Sequence, residues 1–201
     1  MTADTYLSAI MKRRSIYALD ASLEVPKERV VEIVEKAVIA SPSAFHSQSA
    51  RVVILFDDQH KELWKIVLEA LRAIVPVEAF AATEEKIQSF AAAAGTVLYY
   101  DDKRVVEGLQ DQFPAYADNF PVWASQANAM VQENVWNALA LDGVGASLQH
   151  YNPLIDEAVR EKWNVPASYK LVAEMPFGRI VAAAAEKQNM DVKDRVKVYG
   201  L

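Results

Sequence analysis

The chain has no cysteine. That excludes disulfides, thiolate catalysis and cysteine-bound metal, and it agrees with a reducing, cytoplasmic setting. Its three histidines, His46, His60 and His150, stand too far apart for metal-ligand spacing. There is no Gly-x-Gly-x-x-Gly fingerprint, so no dedicated dinucleotide-binding domain is expected. The longest apolar run, from Phe90 to Tyr100, is too short to cross a bilayer and contains Gly95. The first fifteen residues lack an apolar core preceded by basic ones, so no secretory leader is expected. With a net charge of −6 there is no basic stripe to cover phosphates, and nucleic acid is not an expected partner. No Ser-His-Asp constellation or other activated nucleophile stands out.

What is present is an ordinary globular composition over 201 residues, 52% of them hydrophobic and 24% charged, which predicts a single domain spanning 1–201. The organising stretch runs from Asn119 to Asn152. It predicts a long helix over Val122–Leu141, with Pro121 at its start and Gly143 just past its end. The apolar residues of that helix point in nearly every direction, so it is expected to be buried all round, by the rest of the domain and by a second subunit. After it come a turn, a short strand over Ala146–Gln149 and a polar and aromatic group, Gln149-His150-Tyr151-Asn152, suited to holding a ligand.

The rest of the chain alternates helices and strands. A first helix through Arg13 ends in Lys12-Arg13-Arg14-Ser15. Two readings of this cluster stand: compensation of a helix dipole, or an anion site suited to a phosphate monoester. A second helix covers Lys27–Ala40 with Val30, Ile33, Val34, Ala37 and Val38 inward. The loop 41–49, rich in small polar residues with one aromatic, is either a plain connection or a set of donors for a polar heterocycle. Strands are expected over Arg51–Phe56 and Thr96–Tyr100. Between them lie a helix from Gln59 to about Ile74, with His60 exposed in its first turn, and another starting at Thr83. Asn152-Pro153 predicts a helix start. Residues 169–182 predict one strand interrupted near Met175-Pro176.

Five segments together resemble the nitroreductase family of flavin enzymes. They are Lys12-Arg13-Arg14-Ser15-Ile16-Tyr17, the loop from Ser41 to Ser49, Leu148-Gln149-His150-Tyr151-Asn152-Pro153, Met175-Pro176-Phe177-Gly178, and Arg195-Val196-Lys197-Val198-Tyr199. Their order and spacing cover nearly the whole chain, and the wording of the third and fourth is similar to the compact branch found in yeasts and Gram-positive bacteria. The resemblance implies an α+β, nitroreductase-like fold: a mixed four- to five-stranded sheet flanked by helices, with the long central helix at a homodimer interface, a C-terminal arm that adds to the partner, and FMN between the subunits. By position it implies that Arg13 and Ser15, with Arg14 beside them, hold the FMN phosphate and ribityl chain, and that Lys193 and Arg195 reach the same phosphate. Pro42, Ser43, Ala44 and Phe45 would lie against the flavin of the other subunit, with His46 and Gln48 in the same loop. Gln149, His150 and Tyr151 would line the ring near its reactive edge, and Lys86 would face its N1–C2 carbonyl side. His46 stands where many members have asparagine, and Tyr17 where many have a basic residue. The implied activity is FMN-dependent reduction of nitroaromatic or quinone-type acceptors by NADH or NADPH in a ping-pong cycle, with chemistry carried by the cofactor. The alternative is a flavin-binding dimer that senses or buffers with negligible turnover.

Overall fold

The computed structural model describes residues 2–200. In chain order the elements are α1 (Ala3–Lys12), β1 (Leu19–Asp20), α2 (Lys27–Ala40), β2 (Ala50–Phe56), α3 (Asp57–Arg72), α4 (Val77–Ala91), β3 (Gly95–Asp102), α5 (Lys103–Gln112), α6 (Phe120–Leu141), β4 (Val144–Ala146), α7 (Asp156–Lys162), β5 (Tyr169–Ile180) and α8 (Val192–Arg195). The five strands form one sheet in the order β1-β5-β3-β2, with β4 also pairing β5. Every strand pair is antiparallel. Among the described residues the expected mixed character shrinks to one isolated parallel bridge, Ser15 to Ala146. No helix is long and apolar enough to cross a membrane among the described residues.

Strand β3 explains why the sheet is sandwiched. Its side chains alternate, Val97 and Tyr99 into one core and Leu98 and Tyr100 into the other, and all four are almost fully buried. Val97 and Leu98 each contribute about 1.5–3 kcal/mol of burial. The first core is closed by α2, whose Val30, Ile33, Val34 and Ala37 form one helical stripe, and by Val131, Val135 and Leu139 of α6. The second is closed by α3, α4 and α7 through Leu63, Trp64, Ile87, Phe90 and Val159.

Three of the amides in α6 find partners outside the helix backbone, while Asn137 has a partner for its Nδ2 and none for its buried Oδ1 among the described residues. Asn128 Nδ2 donates to Tyr100 O at 2.9 Å and to Asp101 Oδ1 at 3.0 Å, and Gln132 Nε2 donates to Asn128 Oδ1 at 2.7 Å. Asn134 Nδ2 donates to Ser41 Oγ at 2.8 Å. Within one chain α6 is not buried all round: Val122, Gln126, Ala129, Met130 and Glu133 form an exposed stripe at helical spacing.

Several expected boundaries move. Helix α4 starts at Val77 behind Pro76, not at Thr83, because the run Val77–Ala82 is itself good helix former and Phe80 is buried. Asn152-Pro153 does not start a helix. It is a cis peptide in a turn, and α7 begins at Asp156 after Ile155, which is pinned in the second core. The strand expected over Ala146–Gln149 lies earlier, at Val144–Ala146, with Gln149 making only an isolated bridge to Glu174. Strand β5 runs through Met175-Pro176 without a break. Glu174 sends its N–H to Gln149 O at 2.9 Å. Two residues on, the Pro176 nitrogen faces the same way, so the ladder to β3 loses no donor.

His60 is fully buried, not exposed. It shares the stripe of Leu63, Trp64 and Val67 at positions i, i+3, i+4 and i+7. Its Nδ1 lies 2.8 Å from Thr96 Oγ1 and its Nε2 3.3 Å from Ala91 O, while Trp64 Nε1 donates to Thr96 Oγ1 at 3.0 Å. These bonds are satisfied by a neutral ring with its proton on Nε2. Burial, the largest cause, pulls its pKa from 6.5 down to about 4. Between these two values the unfolded chain takes up a proton that the folded one refuses, so stability falls as pH falls through that window. The loss is on the order of 3 kcal/mol. His60→Gln should flatten this part of a thermal-midpoint-against-pH curve; an unchanged acid limb would remove His60 as its source.

Candidate functional site

The residues assigned by resemblance, all but Lys86, Lys193 and Arg195, fall into groups at two separate places. The first is organised by the carbonyl of Ala146. It accepts from Ile16 N at 2.9 Å and from Trp136 Nε1 at 3.2 Å, tying the segment after α1 and the indole of α6 to the end of β4. Helix α1 ends because Arg13 turns to an extended backbone, φ −64° and ψ 128°. That turn lays the Arg13 guanidinium over the Trp136 ring, 4.3 Å from its centroid. Its Nε is buried and has no hydrogen-bond partner. Arg14 reaches the carbonyl of Ala185. Arg13, Arg14, Ser15, Tyr17 and Lys187 line a cavity of about 440 Å³. Three cationic side chains, a hydroxyl and an unsatisfied guanidinium nitrogen suit an anion.

From the same hub the chain continues into Ser147–Tyr151. Ser147 and Gln149 are buried, and Gln149 Nε2 donates to Ser147 Oγ at 3.1 Å. Gln149 N donates to Glu174 O at 2.7 Å, and Tyr151 N to Glu174 Oε2 at 2.9 Å. The Tyr151 ring meets Trp64 edge-on at 5.8 Å, while His150 is exposed. Trp136, Ser147, Glu174 and Lys187 are site residues that sequence reasoning missed. The one signal for Glu174 was a carboxylate set between two apolar runs, Leu171-Val172-Ala173 and Met175-Pro176-Phe177.

The second place is the loop after α2. Ser41 Oγ donates back to Ala37 O at 2.6 Å, closing the helix. Phe45, His46 and Gln48 then all take positive φ, at 56°, 51° and 50°. Three non-glycine residues in that region within four positions carry strain of the kind found at ligand-facing loops. The loop is held by Gln48 N donating to Ser43 Oγ at 3.0 Å and by Arg51 donating to Gln48 O. The Phe45 ring packs on Phe113 at 4.9 Å, Phe120 at 5.3 Å and Trp123 at 6.1 Å. Pro42, Ser43, His46 and Gln48 rim a cavity of about 620 Å³ floored by Val34 and Val131.

The two cavities share no lining residue, so one chain does not bring the Arg13 group and the 42–48 loop around a common space. Lys86 is exposed on α4 and lines neither cavity; its Nζ lies 5.9 Å from the Phe90 ring centroid, over the second core. Lys193 and Arg195 are exposed on α8, and the hydrogen bonds of that tail are local among the described residues.

Comparison with known proteins bears directly on this geometry. The model of the nitroreductase family matches residues 10–179. The nitroreductase FRM2 of Saccharomyces cerevisiae is 34% identical over 197 residues, covering 96% of each chain. The nitroreductase CinD of Lactococcus lactis, solved in complex with chloramphenicol, superposes with a TM-score of 0.89 at 46% identity, covering 97% of this chain and 100% of that one. CinD is also solved in complex with 4-nitrophenol. A protein from Desulfovibrio desulfuricans solved in complex with FMN has the same fold, with a TM-score of 0.73 at 17% identity and 99% of each chain covered.

The loop is testable without any ligand. Ser43→Ala removes the acceptor of Gln48 N, at a cost of about 1 kcal/mol. Amide exchange at Gln48 should rise several-fold while protection in β3 stays as it was. Unchanged exchange at Gln48 would show that the loop is held by other contacts.

Proposed function

The chain belongs to the nitroreductase family, and on that footing we propose that it is an FMN-dependent NAD(P)H oxidoreductase that reduces nitroaromatic or quinone-type acceptors by ping-pong exchange. The observation that carries the cofactor assignment is Arg13, a guanidinium over the Trp136 ring with a buried Nε unpartnered among the described residues, lining a cavity together with Arg14 and Ser15. FMN ends in a phosphate of about −1.5 to −2 charge at neutral pH. Each ionic hydrogen bond to it would contribute about 1.5–3 kcal/mol. FMN, when bound, supplies the two-electron transfer between nicotinamide and acceptor.

The protein's part is to bind, orient and exclude. Arg13, Arg14 and Ser15 would hold the phosphate end, and Gln149, His150 and Tyr151 would line the ring. The remaining wall would come from the 42–48 loop of a second copy, which accounts for a chain that carries two half-sites it cannot itself join. A homodimer is further supported by the exposed stripe of α6 and by the exposed apolar residues Met190, Val192, Val196, Val198 and Tyr199 of the tail. In that arrangement the tail would carry Lys193 and Arg195 to the phosphate. Lys86 lines neither cavity and belongs neither to the segment leaving Ala146 nor to the C-terminal tail, and it is left out of the proposed site. Nicotinamide and acceptor are both flat rings and would take turns in one space beside the flavin. The nitroaromatic acceptor is favoured by CinD, which binds chloramphenicol and 4-nitrophenol.

The purified protein should show flavin bands in its visible spectrum and release close to one FMN per subunit on heating. Rapid mixing with NADH or NADPH should bleach those bands without an acceptor. Bound FMN with negligible bleaching by either donor would instead make the chain a flavin-holding dimer with a sensing or buffering role. A colourless protein that takes up no FMN would remove the cofactor assignment. Arg13→Ala should raise the FMN dissociation constant about tenfold or more, with the thermal midpoint of the flavin-free protein falling only a few degrees; full flavin retention would take Arg13 out of the site.

A further inference from the structure

Behind the segment Gln149–Tyr151, on the side facing the second core, lies a carboxyl group that the proposed chemistry does not use. Glu174 sits in the middle of β5 with no solvent exposure. It meets the segment three times. Its carbonyl accepts from Gln149 N at 2.7 Å, its N–H donates to Gln149 O at 2.9 Å, and its Oε2 accepts from Tyr151 N at 2.9 Å. The first two are ordinary bridge bonds that any residue at this position could make. The third depends on the side chain. The other carboxyl oxygen, Oε1, is buried and has no hydrogen-bond partner.

No cation stands against that oxygen among the described residues. Tyr100 Oη, Asn152 Oδ1 and Asp156 Oδ1 are also buried and unpartnered. The titratable groups facing Glu174 are Tyr100 of β3, Tyr151 of the segment and Asp156 of α7, and none of them is a cation. Lys103 and Lys170 act on Asp156. Fully buried, with one oxygen unpartnered and no cation beside it, the group is more at ease as a carboxylic acid than as a carboxylate, and as the acid it keeps Oε2 as the acceptor of Tyr151 N. Burial, and after it the charge of Asp156, pushes the Glu174 carboxyl up to about 8.

Resting on the proposed flavin site, we propose that Glu174 is a positioning residue for that site. Its neutral carboxyl holds the Tyr151 backbone in place from inside the core, and loss of its proton displaces Gln149–Tyr151 and weakens the hold on the flavin. The proton goes to solvent, and no bond of the substrate or cofactor is involved. The sign follows from linkage. The unfolded chain loses this proton near 4.5, whereas the folded one keeps it to about 8, so the carboxyl makes folding less favourable as pH rises through that window. A group whose charge is poorly tolerated in the ordered state is also one whose ionisation loosens whatever it orders.

The test is the FMN dissociation constant of the full-length protein between pH 7 and 9, above the second ionisation of the phosphate. For the wild type it should rise by roughly fivefold or more across this range, a coupling of ordinary size. In Glu174→Gln, which keeps an acceptor for Tyr151 N and cannot ionise, it should stay flat, and the thermal midpoint of the flavin-free variant should exceed that of wild type at pH 8–9 while approaching it near pH 5. Glu174→Leu, which removes the acceptor, should bind FMN more weakly at every pH. A Glu174→Gln variant with the wild-type pH profile, or a Glu174→Leu variant with undiminished affinity, would overturn the proposal. Should neither variant fold, infrared spectra of the wild type decide the matter. The carbonyl band of a buried carboxylic acid should disappear over the same pH range in which flavin is lost; a band that persists, or is absent at pH 7, overturns it. A wild type that binds FMN equally well from pH 7 to 9 overturns the role of Glu174 alone. A wild type that binds no FMN at any pH overturns the flavin reading on which it rests.

Discussion

Strand β5 is paired from end to end except for an irregularity at Val172, and the remainder of the architecture follows from what it must pair with. Tyr169–Phe177 are taken by β3, Arg179 and Ile180 by β1, and Phe177–Arg179 by β4 as well. A strand so shared cannot slide, because a shift of one residue would exchange the side chains of its two faces. Ala173, Met175 and Phe177 would leave the core of α2 and α6, and Glu174 would enter it. The close approach of three backbones near its end requires glycine. A Cβ on Gly178 would collide with the carbonyl of Asp20 and lie 3.1 Å from Ala94 N.

The same constraint positions the candidate site. By fixing Val144–Ala146, β5 fixes the Ala146 carbonyl, which in turn receives Ile16 and Trp136. Arg13 is therefore placed by a chain of contacts that begins in the sheet and ends at the indole beneath its guanidinium. An acidic protein can hold an anion in this way, because a few cations fixed in one place matter more than the overall balance of charge. The loop 42–48 is placed independently, by α2 and by its own strained backbone. In the proposed dimer, two half-sites on one chain would give a symmetric pair of complete sites through one self-complementary association.

Much of this was legible in the residues. The helix Lys27–Ala40 is found where its apolar spacing placed it, and α6 begins two residues before its predicted start and ends where predicted. The five motif segments carried the family through their order. His60 was misread although its position on the stripe of Leu63, Trp64 and Val67 was visible, because a histidine in a first helical turn looks like surface. The start of α4 was misplaced because Thr83 is a good cap in isolation, whereas Pro76 and the residues after it make a longer helix that buries Phe80.

The sequence by itself determined what depends on near neighbours: the helical stripes, the absence of thiol chemistry, and the basic and polar segments with their order along the chain. Only the tertiary structure decided what depends on partners distant in sequence. Those are the unbroken course of β5 through Pro176, the burial of His60 beneath Thr96 and Ala91, the stacking of Arg13 on Trp136, and the lone carboxyl of Glu174 behind Tyr151. The physical reason is that periodicity and capping are local free energies, expressed within one or two turns. Strand pairing, desolvation and the satisfaction of a buried oxygen depend on which distant group is brought opposite, and that is set by the packing of the whole domain.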